Sequence, residues 1–347
     1  MIEVDGSQKS GSGTILRYAV SLASLLGQDL HITNIRAKRK NPGLRPQHRL
    51  SVMACGQLSR GTAERAEVGS KEIIFRPGKV LMGGDYGWDI GTAGSTTMLA
   101  MTILPLALFA DGPSTFKITG GLFQDFAPSA VHLQNVFFPT LRKMGIDAQL
   151  KIIRPGYVPK GGGVIELMVK PVKDKIKPLK LLRQGRVIEI KGKAISSHLK
   201  ERKVSDRMAE LSRNELRKGR FDPQIEVLYD TTSIQKGAAL AIYAYTDTGC
   251  IIGSDMAGKL GRTSEEIGRS VARNLIDDIK TNATVDRYQA DLLIIYGALA
   301  DGLTEYSIPR MTEHVDSNLW LIQEILGVKS EVKGNHLRIE GVGFHLK

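Results

Sequence analysis

SNLWLIQEILGVKSEVKGNHLRI, residues 317–339, contains the pattern from which the fold is predicted. Its first ten residues place apolar side chains at helical spacing, and Gly327 follows as a helix-ending glycine. Two β-rich runs come next, Ser330–Val332 and His336–Ile339. The stretch therefore predicts one helix followed by two strands.

Helix, glycine and strand recur in this order along the chain. Gly27, Gly61 and Gly145 stand where Gly327 stands in the last stretch. The recurrence predicts a repeated α/β unit that is stacked several times. Helical spacing is found at Thr14–Leu26, Gln47–Leu58, Thr96–Phe109 and Ser129–Met144, and strand-like runs at His31–Ile35 and Ala148–Ile153.

The segment 185–282 has a different pattern. Two prolines mark the lysine-rich stretch KPVKDKIKPLK (170–180) before it as a linker. We therefore predict a smaller α/β domain at 185–282, inserted into a repeated-unit domain formed by 1–184 and 283–347. Its predicted strands are Arg186–Lys191, Ile225–Tyr229, Leu240–Thr246 and Cys250–Ile252, and its predicted helices are Leu199–Lys218 and Ser264–Ile279.

Composition narrows the class of protein. The 347 residues carry a formal net charge of +12, which favours an acidic partner such as a nucleic acid or nucleotide. Only two cysteines occur, outside any Cys/His cluster, which argues against a disulfide scaffold or a structural zinc site. No apolar run reaches the ~18–20 residues of a membrane span, and a strand is predicted almost from Met1. We therefore expect a cytoplasmic protein without a membrane partner.

The stretch NIRAKRKNPGLRPQH, residues 34–48, carries five cations around a Pro-Gly turn and enters a predicted helix at Gln47. Guanidinium groups and the free N–H groups of a helix start both favour anions, so this loop predicts a phosphate site. A solvated basic loop without a ligand is the alternative.

Three further stretches have compositions found in ligand sites or in tight backbone packing. DGSQKSGSGTILR (5–17) is a Gly/Ser loop through which backbone amides could approach a phosphate, although it lacks the order of a P-loop. GYVPKGGG (156–163) predicts close backbone packing or a bulge. In VDRYQAD (285–291), Tyr288 could stack on a base and Asp291 could accept from its amine, or the stretch could be a helix turn with a buried tyrosine.

His314 lies in TEHVDSN, residues 312–318, just before the helix predicted to begin at Ser317. A helix N-terminus disfavours imidazolium, and a neutral ring nitrogen is a competent nucleophile. Glu313 and Asp316 would oppose this effect by favouring the cation. A cap-side histidine without a chemical role is the alternative.

Taken in their order along the chain, these stretches resemble those of RNA 3'-terminal phosphate cyclases, and the resemblance covers nearly the whole chain. The resemblance lies in the glycine-rich start and in four blocks: IRAKRKNPGLRPQH (35–48), DIGTAGSTT (89–97), PGYVPKGGG (155–163) and EHVDSN (313–318). KGAALAIYAYT (236–246) and GSDMAGKLGRTSEEIG (253–268) are similar to the inserted segment of that family.

The resemblance implies both a fold and a reaction. The fold would be repeated βαβαββ units, as in the C-terminal domain of translation initiation factor 3, with an inserted α/β domain. The reaction would use ATP and a divalent metal, magnesium or manganese, to convert an RNA 3'-phosphate into a 2',3'-cyclic phosphate. AMP would be carried covalently on His314, pass to the RNA 3'-phosphate, and leave when the neighbouring 2'-hydroxyl closes the ring.

The resemblance also assigns site roles by position. His314 falls on the nucleophile, Pro128 and Tyr288 on the pair that sandwiches adenine, and Asp291 on the residue that reads its edge. Met101, Gln289, Ala290 and Leu292 fall on other nucleotide-binding positions. The positions that face phosphates and the RNA end are Arg17, Arg36, Arg39, Gln47 and His48.

Some positions depart from the family pattern. Ser10 stands where a metal-binding glutamate is expected, so no metal ligand is assigned with it. Thr14, Met101 and Leu292 each stand where the family has a glutamine. Gln124 and Gln289 are the residues that could compensate.

Three function classes are therefore weighed. The first is an active ATP-dependent cyclase. The second is a silent RNA-binding member of the same fold that serves ribosome biogenesis, although that branch lacks the histidine. The third, by analogy of repeated units alone, is an enolpyruvyl transferase, for which no matching site is found.

Overall fold

The computed structural model describes residues 1–346, and its first unit is a four-stranded sheet covered by two helices. The strands lie in the order β1-β2-β4-β3, with β1 parallel to β2 and the other pairs antiparallel. The elements are β1 (Ile2–Asp5), α1 (Gly13–Leu26), β2 (Leu30–Thr33), α2 (Pro46–Ser59), β3 (Thr62–Glu64) and β4 (Ile73–Arg76).

The second unit has the same element order and topology. Its sheet is β5-β6-β8-β7, again with one parallel pair followed by two antiparallel pairs. Its second helical segment contains a π-helical turn, Leu133–Phe137, between two short α-helices. The elements are β5 (Gly84–Asp89), α3 (Thr96–Ala107), β6 (Ser114–Gly120), α4 (Ala130–His132), α5 (Phe138–Arg142), β7 (Asp147–Arg154) and β8 (Gly163–Lys170).

The third unit repeats this topology but is interrupted after its first strand. Its sheet order is β9-β14-β16-β15, counted in chain order. The elements are β9 (Lys180–Leu181), α8 (Gln289–Leu299), β14 (Asp301–Ser307), α9 (Glu313–Leu326), β15 (Ser330–Lys333) and β16 (His336–Val342).

The interrupting segment forms its own sheet in the order β11-β10-β12-β13. One face of this sheet packs against two helices in a separate apolar cluster, whereas Ala239, Ala241 and Tyr243 on the other face join the core of the repeated units. The elements are β10 (Val187–Ser197), α6 (Val204–Lys218), β11 (Pro223–Asp230), β12 (Gly237–Thr246), β13 (Ile251–Ala257) and α7 (Ser264–Lys280).

Helix α1 is at the centre of the repeated units. Ser12 caps its first turn by accepting from the Thr14 N–H, and Gly27 ends it in the left-handed conformation. Almost every α1 residue is buried because α2, α3 and α9 pack around it. This packing brings the start of α1 close to the starts of α2 and α9.

The predicted mixed α/β architecture is confirmed, with several local corrections. Helix α9 begins at Glu313, four residues before the predicted start, because Thr312 caps it. Helix α6 begins at Val204 rather than Leu199, after Lys203 in the left-handed region. Within the predicted linker 170–180, Ile176 and Leu179 are buried in the core. No helix among residues 1–346 is long and apolar enough to cross a membrane.

GYVPKGGG has the close backbone packing that its glycines predict. A Cβ added at Gly156 would lie 2.2 Å from the Gly163 nitrogen, so side chains are excluded where the two segments meet. The carbonyl of Gly156 in turn accepts from the N–H of Leu122, which ties this stretch to the loop before α4.

Candidate active site

A cavity of about 320 Å³ lies where the first turns of α1, α8 and α9 approach the loop before α4. Six of the residues assigned from the sequence line it: Arg17, Pro128, Tyr288, Asp291, Leu292 and His314. Thr14, which stands where the family has a glutamine, is also in its wall. The cavity therefore draws together side chains that are up to 300 residues apart in the chain. Its other lining residues are Met98, Phe126, Arg287, Arg310 and Thr312.

His314 is the second residue of α9. Its Nδ1 atom is buried without a hydrogen-bond partner, and Nε2 is not among the buried unpaired atoms. Burial, followed by the charges of Arg17 and Arg39, lowers the pKa of the ring, and Glu313 opposes this only in part. Near neutral pH the imidazole is therefore neutral, and Nε2 is the ring nitrogen free to react in the cavity.

Arg17 supplies a cation between the histidine and the neighbouring carboxyl group. It is on α1 and only 8% exposed. Burial lowers its pKa to about 10, so the guanidinium keeps its charge at neutral pH. Its charge lowers the pKa values of His314, Asp291 and His48, which places Arg17 at the centre of the site electrostatically.

Asp291 occupies the first turn of α8. Burial raises the pKa of its carboxyl group to about 7, and the nearby Arg17 moderates this effect. The group therefore exchanges its proton near neutral pH, so it can accept a hydrogen bond or donate one. Either form suits recognition of the polar edge of a base.

The cations of the basic loop, residues 34–48, differ in what they contact. Arg36 donates through Nη1 to the carbonyl oxygens of Asn41 (2.7 Å) and Gly43 (2.8 Å), so it braces the turn. Gln47 accepts from the Ser95 N–H at 2.7 Å and ties the loop to the DIGTAGSTT stretch. Arg39 stays exposed, and it is the loop cation whose charge reaches His314.

His48 lies against the start of α1. A Cβ at Gly13 would be 2.2 Å from His48 Nε2 and 3.2 Å from Arg17 Nη1, so glycine is required for the two side chains to meet there. Burial and the charges of Arg17, Arg36 and Arg45 lower the pKa of His48 well below its usual value. His48 is therefore a neutral ring within a group of cations.

Ser10 belongs to a closed group of hydroxyls. Its Oγ donates to Ser12 Oγ at 2.9 Å, and Ser317 Oγ donates to Ser10 Oγ at 2.7 Å. The side chain is 4% exposed. Within residues 1–346, no three His, Cys, Asp or Glu side chains gather into a group that could hold a metal ion. These hydroxyl groups do not fit a protein-held divalent metal at Ser10, because a hard cation prefers carboxylate ligands.

Several assigned nucleotide-binding residues lie outside the cavity. Met101 is buried in the core, and Met98, one turn earlier on α3, lines the wall instead. Gln289 is fully buried and donates to Ile251 O and Asp286 Oδ2, and Ala290 is fully buried beside it. Gln124, with its side-chain amide turned, donates to Ala93 O and accepts from the Ser95 N–H. Neither glutamine lines the cavity.

The sequence reasoning missed Phe126, Arg287 and Arg310 as cavity residues. Arg287 is paired with Asp278 at 2.7 Å, so its charge is largely balanced. Arg310 is exposed at the cavity and belongs to the short loop before α9. The sequence could have indicated Arg310 as a cavity residue, because it stands two residues before the Thr312 cap and cations before a helix start favour anion binding.

Taken together, these side chains form a cavity lined by arginines and a tyrosine, with a neutral histidine in its wall. The chain matches the family model described as RNA 3'-terminal phosphate cyclase over residues 8–332. Curated proteins named RNA 3'-terminal phosphate cyclase are similar over almost their full length. One from Pyrobaculum aerophilum is 36% identical and covers 99% of both chains. Another from Pyrococcus furiosus is 37% identical and covers 96% of both.

This chain belongs to the RNA 3'-terminal phosphate cyclase family. A third relative of the same name, from Korarchaeum cryptofilum, is 35% identical over 99% of both chains. The similarity extends through the inserted segment as well as the repeated units.

Proposed function

We propose that this protein converts an RNA 3'-phosphate into a 2',3'-cyclic phosphate at the expense of ATP. The observation that carries the proposal is the neutral, half-buried His314 beside the charged Arg17 in a cavity walled by Pro128 and Tyr288. A nucleophile, a phosphate-binding cation and an aromatic wall for a base meet at one place.

In the first step, His314 Nε2 attacks the α-phosphate of ATP. The P–N bond forms as the bond to the pyrophosphate oxygen breaks, and His314 holds AMP. Arg17 stabilises the charge that develops on the phosphate oxygens, since a buried guanidinium is already oriented before the reaction. Adenine lies between Pro128 and Tyr288, with its polar edge toward Asp291.

In the next steps, an oxygen of the RNA 3'-phosphate attacks the AMP phosphorus and frees the histidine. The adjacent 2'-hydroxyl then attacks the activated RNA phosphate, closes the five-membered ring and expels AMP. Arg39 is exposed and would contact the RNA end, whereas His48 is buried against the start of α1 and would support this contact. The partners are thus ATP and RNA 3'-phosphate ends, and we expect the reaction to take place in the cytoplasm.

The fold is part of the same proposal. The βαβαββ order of the three units supports a likeness to the C-terminal domain of translation initiation factor 3. Residues 185–282 would form an inserted domain, and residues 1–184 and 283–347 the catalytic one.

A silent RNA-binding function in ribosome biogenesis is the second candidate. The hydroxyl group at Ser10 favours it, because an acidic metal ligand is absent from that position. His314 and its lowered pKa favour the enzyme.

An RNA oligonucleotide with a 3'-phosphate tests the proposed function. With ATP, we expect the phosphate to become resistant to alkaline phosphatase as AMP is released. An oligonucleotide with a 2'-deoxy terminal nucleotide is the matched control, because it lacks the attacking hydroxyl and should stop at the RNA adenylate. RNA that binds but keeps a phosphatase-sensitive end would favour the silent RNA-binding function.

Ser10→Glu tests the metal question. The introduced carboxylate is buried without a cation, so we expect a melting temperature lower by several degrees without metal. Manganese or magnesium should restore the melting temperature and raise the adenylylation rate above that of the unsubstituted protein. Ser10→Gln has a similar shape but no charge, and it should show neither response. Equal metal responses in both variants would mean that metal is held elsewhere.

A further inference from the structure

Pro128 and Tyr288 form the two walls of the proposed adenine slot. Both walls lie close to one carboxyl group of the inserted segment, that of Asp255. Asp255 is on β13 and only 8% exposed. Its Oδ2 accepts from the backbone N–H of Ser129 at 2.6 Å, and Ser129 directly follows Pro128. Besides burial, the charge of the same carboxyl group raises the pKa of the Tyr288 hydroxyl, so the two groups lie close together. Asp255 therefore bonds the element that carries Pro128 and lies beside the ring of Tyr288, and the separation of these two residues sets the width of the slot.

A second buried contact connects the same strand to the Tyr288 wall. Asp286 Oδ2 accepts from the Gly253 N–H of β13 at 2.8 Å and bonds His132 Nε2 at 3.0 Å. Its other oxygen, Oδ1, accepts from the Tyr288 N–H at 2.8 Å. The His132 and Tyr288 rings meet edge to face at 5.2 Å between centroids. The backbone of Tyr288 is thus held by Asp286, which also bonds strand β13 of the insert, and its ring packs on His132 of the second unit.

We propose that Asp255 is a positioning residue that holds Pro128 and Tyr288 at the spacing of a purine ring. The proposal rests on the proposed function, because it assumes that adenine occupies this slot. The inserted segment then has a direct part in nucleotide binding, although Asp255 itself does not line the cavity.

The alternative is that Asp255 only attaches the insert to the repeated units. The two roles differ in which part of the nucleotide is affected. A residue that spaces the slot acts on the base and leaves the phosphate-binding cations unchanged. A residue that merely attaches the insert would affect base and phosphate binding alike, or neither.

The test compares binding of AMP with binding of inorganic tripolyphosphate, which has the phosphates of ATP but no base. Asp255→Asn should weaken AMP binding by about tenfold or more, as expected for losing a hydrogen bond to a charged group. Tripolyphosphate binding should change by less than about twofold, because Arg17 and Arg310 are untouched.

Two other variants make the test specific. Tyr288→Phe removes only the hydroxyl group, so it should also weaken AMP binding. The double variant should lose less binding free energy than the two single variants lose in sum. Asp230→Asn is the matched control. Asp230 accepts from Ser197 Oγ, which meets Tyr157 at the other junction between the insert and the repeated units. The Asp230→Asn protein should bind AMP as tightly as the unsubstituted protein does.

Three results would overturn the assignment of Asp255: equal loss of AMP and tripolyphosphate binding, unchanged AMP binding in Asp255→Asn, or unchanged AMP binding in Tyr288→Phe. Should Asp255→Asn fail to fold, Tyr288→Phe alone decides. If the unsubstituted protein binds tripolyphosphate but no AMP, the proposed function itself fails, which is a separate outcome.

Discussion

His314→Ala protein is expected to acquire no covalent label from ATP that is radioactive at the α-phosphate. The unsubstituted protein should acquire label that is stable to alkali and lost in acid, as a phosphoramidate is. Removing a covalent nucleophile costs roughly a thousandfold or more in rate, so residual labelling should be undetectable. The measurement is gel autoradiography after incubation with ATP and magnesium or manganese.

Loss of fold does not explain this expected result. His314 Nδ1 is buried without a partner, so alanine removes an unsatisfied polar atom and breaks no hydrogen bond of the side chain. The melting temperature should therefore stay within a few degrees. His31→Ala is the matched control, because His31 lies on β2 and pairs with Glu3 away from the cavity. Label on His314→Ala would identify another nucleophile. If neither the unsubstituted protein nor His314→Ala acquires label at any metal concentration, the silent RNA-binding function is favoured.

Arg17→Met should slow histidine adenylylation by roughly a hundredfold or more, the loss typical of one charge-stabilising donor. Methionine keeps much of the side-chain volume and removes the charge. The pH dependence should change as well. Arg17 lowers the pKa of His314, so its removal raises that pKa. As the pH falls, the reactive neutral ring is then protonated at a higher pH than in the unsubstituted protein. The acid limb of the rate profile should move toward neutral pH.

Single-turnover labelling between pH 5 and pH 9 measures both effects of Arg17→Met. Arg49→Met provides the control, because Arg49 is on α2 and pairs with Glu67 outside the cavity. A slower rate with an unmoved acid limb would show that Arg17 binds phosphate without setting the protonation of His314. An unchanged rate would remove Arg17 from the first chemical step.

The sequence predicts the recurring helices and strands well where one side of an element is apolar. No helix is predicted at α8, because DLLIIYGALA is apolar on every side and therefore shows no helical alternation of apolar and polar positions. Met101 is assigned by the family resemblance and not by helical periodicity. Helix α3 is almost uniformly apolar, so its pattern could not show that the Met98 side faces the cavity.

The candidate site is predicted in its chemistry but only partly in its geometry. Arginine for phosphate and tyrosine for a base follow from residue type. Whether a given polar atom is free depends on tertiary partners, as Ser10 and Ser317 illustrate with a contact across 307 residues. Arg36 likewise has the right charge, and yet its guanidinium braces its own turn.

The three units share one topology, but they do not share one chemistry. Arg17 comes from the first unit, Pro128 from the second, and Tyr288 and His314 from the third. Repetition of the fold therefore does not provide spare copies of these roles: a damaging substitution in one unit has no equivalent side chain in the others to compensate for it. Divergence among the repeats, rather than their similarity, is what brings unlike side chains together in one cavity where the units meet.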